Sequence, residues 1–247
     1  MAYYRSLEAD AVQIAGYGGF RGDAYYARPK GEGPFPGVVL IHHAPGWDDW
    51  IMEATRKLAH AGFACIAPNL YCREPGEPDD QAASARAGGG VTDDSVIGDV
   101  EGAMNFLRER RTCNDRIGLI GFCSGGRHTI VCAGRIKGVG AIVDCWGGRV
   151  IPTKEEMTAQ RPVAAIDYVK DIDCPILGIF GNDDKNPDVA QVNRTEEILK
   201  SLGKTYTFHR YDGAGHGFFA ADRPAYRAEQ ATDACKKVFG FFHKHLD

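Results

Sequence analysis

The chain reads as an α/β protein, with a mostly parallel central sheet and helices on both faces. Two observations predict this. Short apolar, β-branched runs such as Gly37-Val38-Val39-Leu40-Ile41 and Ile117-Gly118-Leu119-Ile120 alternate with longer amphipathic stretches. The composition, 44% hydrophobic and 25% charged over 247 residues, is that of a chain able to bury a sizeable core. No composition break, internal repeat or low-complexity tract divides it, so one domain over residues 1–247 is expected.

The elements follow in order. Strands around residues 12–14 and 24–28, joined by Gly16-Tyr17-Gly18-Gly19, form an antiparallel edge. Residues 37–41 are a buried strand, and from Trp50 to His60 the residues Ile51, Ala54 and Leu58, followed by Ala61, recur at helical spacing. Residues 63–68 are the next strand. Residues 69–92, including Glu74-Pro75-Gly76-Glu77-Pro78, are too polar and broken for a core element. They read as a surface excursion near the site, either a binding lid or a short embedded helix at 80–86. Asp93-Asp94-Ser95 is placed to cap a helix running to about Arg110. A strand at 116–122 and a helix at 124–134 come next, then strands at 138–145 and 174–180 around an irregular segment, 147–173. A helix at 189–202 and a strand at 205–211 lead to a closing helix at 224–245. Its inward face is read as Ala228, Ala231, Ala234, Val238 and Phe241, with His243 and His245 exposed at its end.

Charge and segment composition exclude several classes of function. Lys plus Arg number 29 against 33 for Asp plus Glu, a net of 29 − 33 = −4 with no basic block, so nucleic acid is not an expected partner. Residues 1–10 carry Arg5, Glu8 and Asp10 in place of an apolar leader, and no window approaches the ~20 apolar residues of a span. No membrane partner and a cytoplasmic location are therefore expected. The eight cysteines are scattered through apolar runs, without CxxC pairs, which is the usage of a reducing compartment. His42-His43 with Asp48-Asp49 suggests a metal, but adjacent strand residues point apart and no third ligand follows, so no metal or other cofactor is expected. Gly88-Gly89-Gly90 lacks the preceding strand and Lys-Ser/Thr pair of a phosphate loop.

The most informative fragment is Gly121-Phe122-Cys123-Ser124-Gly125-Gly126, a strand entering Gly-x-Cys-x-Gly-Gly and then a helix. This is the pattern of a nucleophile elbow. Small residues are needed on either side because the turn is so sharp, and the middle residue, Cys123, is thrust out above the sheet. Its sulfur would sit at a helix N-terminus, which favours thiolate. An elbow implies an acid after a later strand and a histidine before the last helix. Asp183 and Asp184 both follow the strand Ile176-Leu177-Gly178-Ile179-Phe180, and His216 sits among glycines in Gly213-Ala214-Gly215-His216-Gly217. His216 would take a proton from Cys123 and return it to the leaving group, with a carboxylate fixing its tautomer. The oxyanion would be held by the backbone N–H of Ser124 and one from the loop after the first parallel strand. Ala44 is the candidate, because Pro45 has no N–H.

These residues carry a resemblance to the dienelactone hydrolase family of α/β-hydrolases, extending over roughly residues 24–245. Gly121-Phe-Cys-Ser-Gly-Gly resembles the family's elbow, Gly213-Ala-Gly-His-Gly-Phe its histidine loop, Ala67-Pro-Asn-Leu-Tyr its segment after the second parallel strand, and Ile97-Gly-Asp-Val-Glu-Gly-Ala its helix before the elbow. The resemblance implies an α/β-hydrolase fold and cleavage of a lactone or carboxylic ester through a thioester on Cys123. Similarity to the family's Gly-x-x-Asp pattern assigns the acid to Asp184. The founding members place a glutamate where this chain has His43, and hold the substrate carboxylate with two arginines. Here those arginine positions fall on Gln81, with Arg86 nearby, and near Ala220, with Arg223 three residues on. His43, Arg86 and Arg223 are therefore candidate pocket residues, as are the aromatic residues Trp47, Tyr71, Trp146 and Phe218, with Trp50 beside them. An aromatic-lined pocket and the missing arginine pair keep open a second reading, a thioesterase or general carboxylesterase. A third is a non-catalytic thiol sensor using Cys123. A small-molecule lactone or ester is the expected partner of a monomer or small homo-oligomer.

Overall fold

The run Phe35–Ile41 (β3) is buried along its whole length, as befits a parallel strand covered on both faces. The computed structural model describes residues 3–247. Preceding β3 are β1 (Leu7–Ala15) and β2 (Arg21–Pro29), and following it are α1 (Asp49–His60), β4 (Ala64–Pro68), α2 (Pro78–Ala87), α3 (Asp93–Arg108), β5 (Cys113–Phe122) and α4 (Ser124–Arg135). The chain closes with β6 (Val139–Cys145), β7 (Ile176–Gly181), α5 (Val189–Ser201), β8 (Tyr206–Tyr211) and α6 (Ala228–Leu246). The strands form one eight-stranded sheet in the order β1-β2-β4-β3-β5-β6-β7-β8. β1 pairs antiparallel with β2, as does β2 with β4, and every later pairing is parallel.

Period-two alternation along the central strands sends side chains into two separate core layers. Val39 and Ile41 of β3 join Leu119, Ile142, Met104 and Ile130 beneath α3 and α4. Val38 and Leu40 join Ile120, Val143, Ile51 and Phe242 beneath α1 and α6. The sheet is thus covered on both faces, and the loops leaving the C-terminal ends of its parallel strands meet along one edge, where α/β folds form their sites.

Three local expectations are corrected. The cap of α3 is Thr92, whose Oγ1 accepts the Ser95 N–H at 3.1 Å; Asp93 is instead committed to an ion pair with Arg127. On α6, Ala228 is exposed and Phe241 half-buried, while Phe242 and Leu246 are fully buried, so the inward face lies one residue further along at its C-terminal end. The end of α6 is also pinned: His243 contacts the Ala61 carbonyl at 2.8 Å and packs on Phe63 with ring centroids 4.6 Å apart. Residues 69–92 contain the embedded helix, α2, which buries Ala82 and Ala85.

Phe242 joins α6 to the sheet. It packs edge-on to Phe63 at 5.8 Å and lies over Gly118, where a Cβ would come within 2.6 Å of its ring. Phe242→Ala is expected to lower the unfolding free energy by about 3–5 kcal/mol, the range for truncating a buried phenylalanine, as read by urea denaturation.

Candidate active site

The elbow is built from close backbone approach. A Cβ on Gly121 would lie 2.0 Å from the Gly125 carbonyl oxygen, and one on Gly125 would lie 2.1 Å from that of Ile41. With both absent, the first turn of α4 settles against β3 and β5, and Cys123 is held at φ 57, ψ −117. That left-handed conformation costs a non-glycine residue about 1–3 kcal/mol. It is secured by Cys123 N–H donating to the Cys145 carbonyl at 3.0 Å and Gly126 N–H donating to the Cys123 carbonyl at 3.0 Å. The Thr129 hydroxyl ties down the Gly125 carbonyl at 2.8 Å.

His216 and Asp184 join Cys123 around one cavity from the loops after β8 and β7. A Cβ on Gly181 would meet the Ala214 carbonyl oxygen at 2.2 Å, so glycine there lets the two loops touch, and Asp183 N–H donates to that same carbonyl at 3.0 Å. His216 Nδ1–H donates to Asp184 Oδ2 at 2.9 Å, while Asp184 Oδ1 accepts the Asn186 N–H at 2.9 Å. The Asp184 side chain is 2% exposed and that of His216 41%; Asp183 is exposed and makes no side-chain contact with the ring. Burial disfavours the charged imidazole, but hydrogen bonds to Asp184 and Cys123 outweigh it and raise its pKa to about 10. Burial likewise opposes the Cys123 thiolate, yet His216 and then the backbone N–H groups of Ser124 and Ala44 hold the thiol below its usual value. The arrangement favours a thiolate–imidazolium pair.

Ala44 is braced from its other side. Its carbonyl accepts from the Tyr71 hydroxyl at 3.3 Å and from Arg86 at 3.1 Å, so both residues support the loop that carries this N–H. His42, 1% exposed and lowered to about 4 chiefly by burial, is neutral: Nδ1–H donates to the His43 carbonyl at 2.7 Å and Nε2 accepts the Leu70 N–H at 3.1 Å. His43 pairs through Nε2 with Asp48 at 2.7 Å, and Arg223 donates to the same carboxylate oxygen at 2.9 Å. Burial raises the pKa of Asp48, but His43, the Ile51 N–H and Arg223 hold it below its usual value.

A cavity of about 350 Å³ opens over Cys123 and is bordered by Ala44, Ser124 and His216. The rest of its wall was not anticipated: Arg127 and His128 from α4, Arg149 and Arg161 from the 147–173 segment, and Lys185 and Asn186 beyond the acid. The sequence offered one signal, the polar Arg127-His128 pair in the helix that follows the elbow. The expected aromatic lining lies elsewhere. Trp47, Trp146 and Phe218 are 9%, 2% and 0% exposed and pack in the core under α1 and α6. The Trp47 indole donates to the Ala67 carbonyl at 2.9 Å, and Trp146 edges His216 with ring centroids 6.4 Å apart. A larger, more open hollow of about 980 Å³ lies at the opposite end of the sheet, around Lys30, Phe35 and His243, and holds none of these groups.

A parallel sheet, a strained cysteine between strand and helix, and a histidine–carboxylate pair arriving from later loops define an α/β-hydrolase architecture. A sequence profile of the dienelactone hydrolase family matches residues 23–246, and the chain belongs to that family. It is 34% identical over 227 residues, 90% of this chain and 76% of the relative, to a protein of Methylorubrum extorquens named "Putative carboxymethylenebutenolidase". It is 29% identical over 226 residues, 90% of this chain and 89% of the relative, to a Bradyrhizobium protein named "Probable 2-oxo-3-(5-oxofuran-2-ylidene)propanoate lactonase". The crystal structure of a "Putative Dienelactone Hydrolase" from Klebsiella pneumoniae superposes with a TM-score of 0.87 at 25% identity, covering 98% of this chain and 100% of that one. No helix among the described residues is long and apolar enough to cross a membrane.

The electrostatics can be read by alkylation. Iodoacetamide consumes thiolate, so its rate at Cys123 should persist below the ordinary thiol range and fall only as pH drops through the lowered pKa. In His216→Ala, burial acts with less opposition and the reactive limb should move to higher pH. An unchanged limb would show that the imidazole does not act on the sulfur.

Proposed function

We propose that this hydrolase cleaves a lactone or carboxylic ester through a covalent thioester on Cys123. The observation that carries the reading is convergence: Cys123, the His216–Asp184 pair and the backbone of Ala44 and Ser124 border one cavity. Metal and organic cofactors have no part in this scheme.

In the first half-reaction the thiolate attacks the carbonyl carbon and a C–S bond forms. The oxygen takes up negative charge between the Ala44 and Ser124 N–H groups. Collapse of this tetrahedral species breaks the C–O bond, and the imidazolium of His216 gives its proton to the departing oxygen. In a lactone that oxygen stays tethered, so the ring opens. The now neutral imidazole draws a proton from water as its oxygen attacks the thioester. The second tetrahedral species expels the thiolate, and the carboxylic acid product leaves. Asp184 keeps the Nδ1–H tautomer in place and balances the imidazolium. Both relatives' names describe butenolide-type lactones that carry an acid group, which supports a strained enol lactone as the substrate class. The core position of Trp47, Trp146 and Phe218 speaks against the aromatic-lined pocket on which a thioesterase reading would rest.

Rapid quenching during turnover of phenyl acetate should reveal an acetyl adduct on the Cys123 peptide by mass spectrometry, absent in Cys123→Ala. His216→Ala should lower kcat/KM by at least about 10²-fold, the low end for loss of a general base. An adduct on another residue, or full turnover without the imidazole, would overturn the mechanism.

A further inference from the structure

Four cations ring the cavity over Cys123: Arg127, Arg149, Arg161 and Lys185. Two are neutralised within the protein. Arg127, 4% exposed, makes a two-pronged pair with Asp93 at 2.6 and 2.9 Å, and Arg149 Nε donates to Glu156 at 3.0 Å. Lys185 is exposed, where water answers its charge. Arg161 differs from all three. It is half-buried, forms no ion pair among the described residues, and its Nε is buried without a hydrogen-bond partner. Its remaining side-chain hydrogen bond is a long one, Nη2 to the Gly89 carbonyl at 3.4 Å. Burial and the charge of Arg127 hold its pKa below the usual arginine range, yet a guanidinium remains a cation.

The fold nonetheless makes room for this side chain. Gly90 sits at φ +94, and a Cβ there would come within 2.2 Å of Arg161 Nη2. The backbone around Arg161 is fixed to the loop before α3: Asp93 N–H donates to the Gln160 carbonyl at 3.0 Å, and Gln160 Nε2 to that of Gly88 at 3.1 Å. Arg161 N–H also closes a turn on the Thr158 carbonyl at 3.0 Å. A cation is therefore held firmly at the wall of the reactive cavity with its charge unanswered, an expensive arrangement unless an anion arrives. The planar guanidinium suits a carboxylate, which it can engage with two parallel hydrogen bonds. Arg127 adds to the attraction without binding directly, since Asp93 occupies its fork.

We propose that Arg161 is the specificity-determining residue of this site, receiving a carboxylate of the substrate and so setting the ester carbonyl over Cys123. The proposal rests on Cys123 being the nucleophile, and it assigns the anion-binding role to a segment that no sequence motif marks.

The test compares monophenyl glutarate with methyl phenyl glutarate, two esters that differ in whether the far carboxylate is free. Wild-type enzyme should prefer the free acid. Arg161→Gln should lower kcat/KM on it by about 10- to 100-fold, chiefly through KM, the range for losing a charge-assisted hydrogen bond, while the methyl ester changes by less than about 3-fold. Arg161→Lys, which keeps the charge and loses the fork, should fall between. Equal losses on both esters, or no preference in the wild type, would overturn the proposal. A second measurement reads the anion site without chemistry. Glutarate binding by calorimetry should weaken at least about 10-fold from Cys123→Ala to Cys123→Ala/Arg161→Gln. Equal affinities would sink the proposal even with acylation intact. If Cys123 is never acylated while glutarate affinity still depends on Arg161, the mechanism falls and the anion site stands.

Discussion

The site depends on one steric fact: three backbone segments meet at the exit of β5 with no room for a side chain between them. Gly125 rests on the Ile41 carbonyl, and Gly121 lies under the Gly125 carbonyl. This contact presses the start of α4 onto β3 and β5 and leaves Cys123 in a left-handed conformation that a free chain would avoid. The strained turn places Cys123 at the wall of the cavity, packed against the core layer under α1 and α6. Because the loops after β3, β7 and β8 end at the same edge, the groups they carry arrive around one atom.

Burial works against every charge placed there, so the geometry has to outweigh it. The thiol is drawn down by an imidazole and two N–H groups, and the imidazole is drawn up by a carboxylate that is itself almost wholly buried. Two nearby carboxylates hold other ionic groups apart from this chemistry. Asp48 takes up both His43 and Arg223, and Asp93 takes up Arg127. The His43–Asp48–Arg223 chain also ties the α1 N-terminus to the loop before α6, since Asp48 caps α1 through the Ile51 N–H at 3.0 Å. A histidine where the family's founding members have a glutamate thus serves as a brace in this protein, with its Nε2 turned to Asp48.

Much of this was legible from the residues alone. Continuous apolar runs mark parallel strands because both faces are covered, and the central strands were located to within a few residues. Edges were less exact where a cap or a tertiary contact decides the boundary, as with Thr92 on α3 and Leu246 at the end of α6. The elbow, Ala44, His216 and Asp184 could be singled out as candidates because each is bound to a turn whose glycines or proline limit the backbone to few shapes. The aromatic residues near the elbow carry no such constraint. Whether Trp146 or Phe218 lines a cavity or fills a core depends on which helix lies over it.

The amino-acid order by itself determined the α/β class, the strained cysteine and the order in which cysteine, carboxylate and histidine follow along the chain, since these follow from local periodicity and from glycine's freedom at tight turns. Only the tertiary structure decided the character of the cavity. Arg127, Arg149 and Arg161 come from α4 and from an irregular segment with no periodicity, and His43 and Arg223 are bound to Asp48 from opposite ends of the chain. Which cation is neutralised and which is left unpaired depends on distances between groups remote in sequence, and those exist only once the chain has folded.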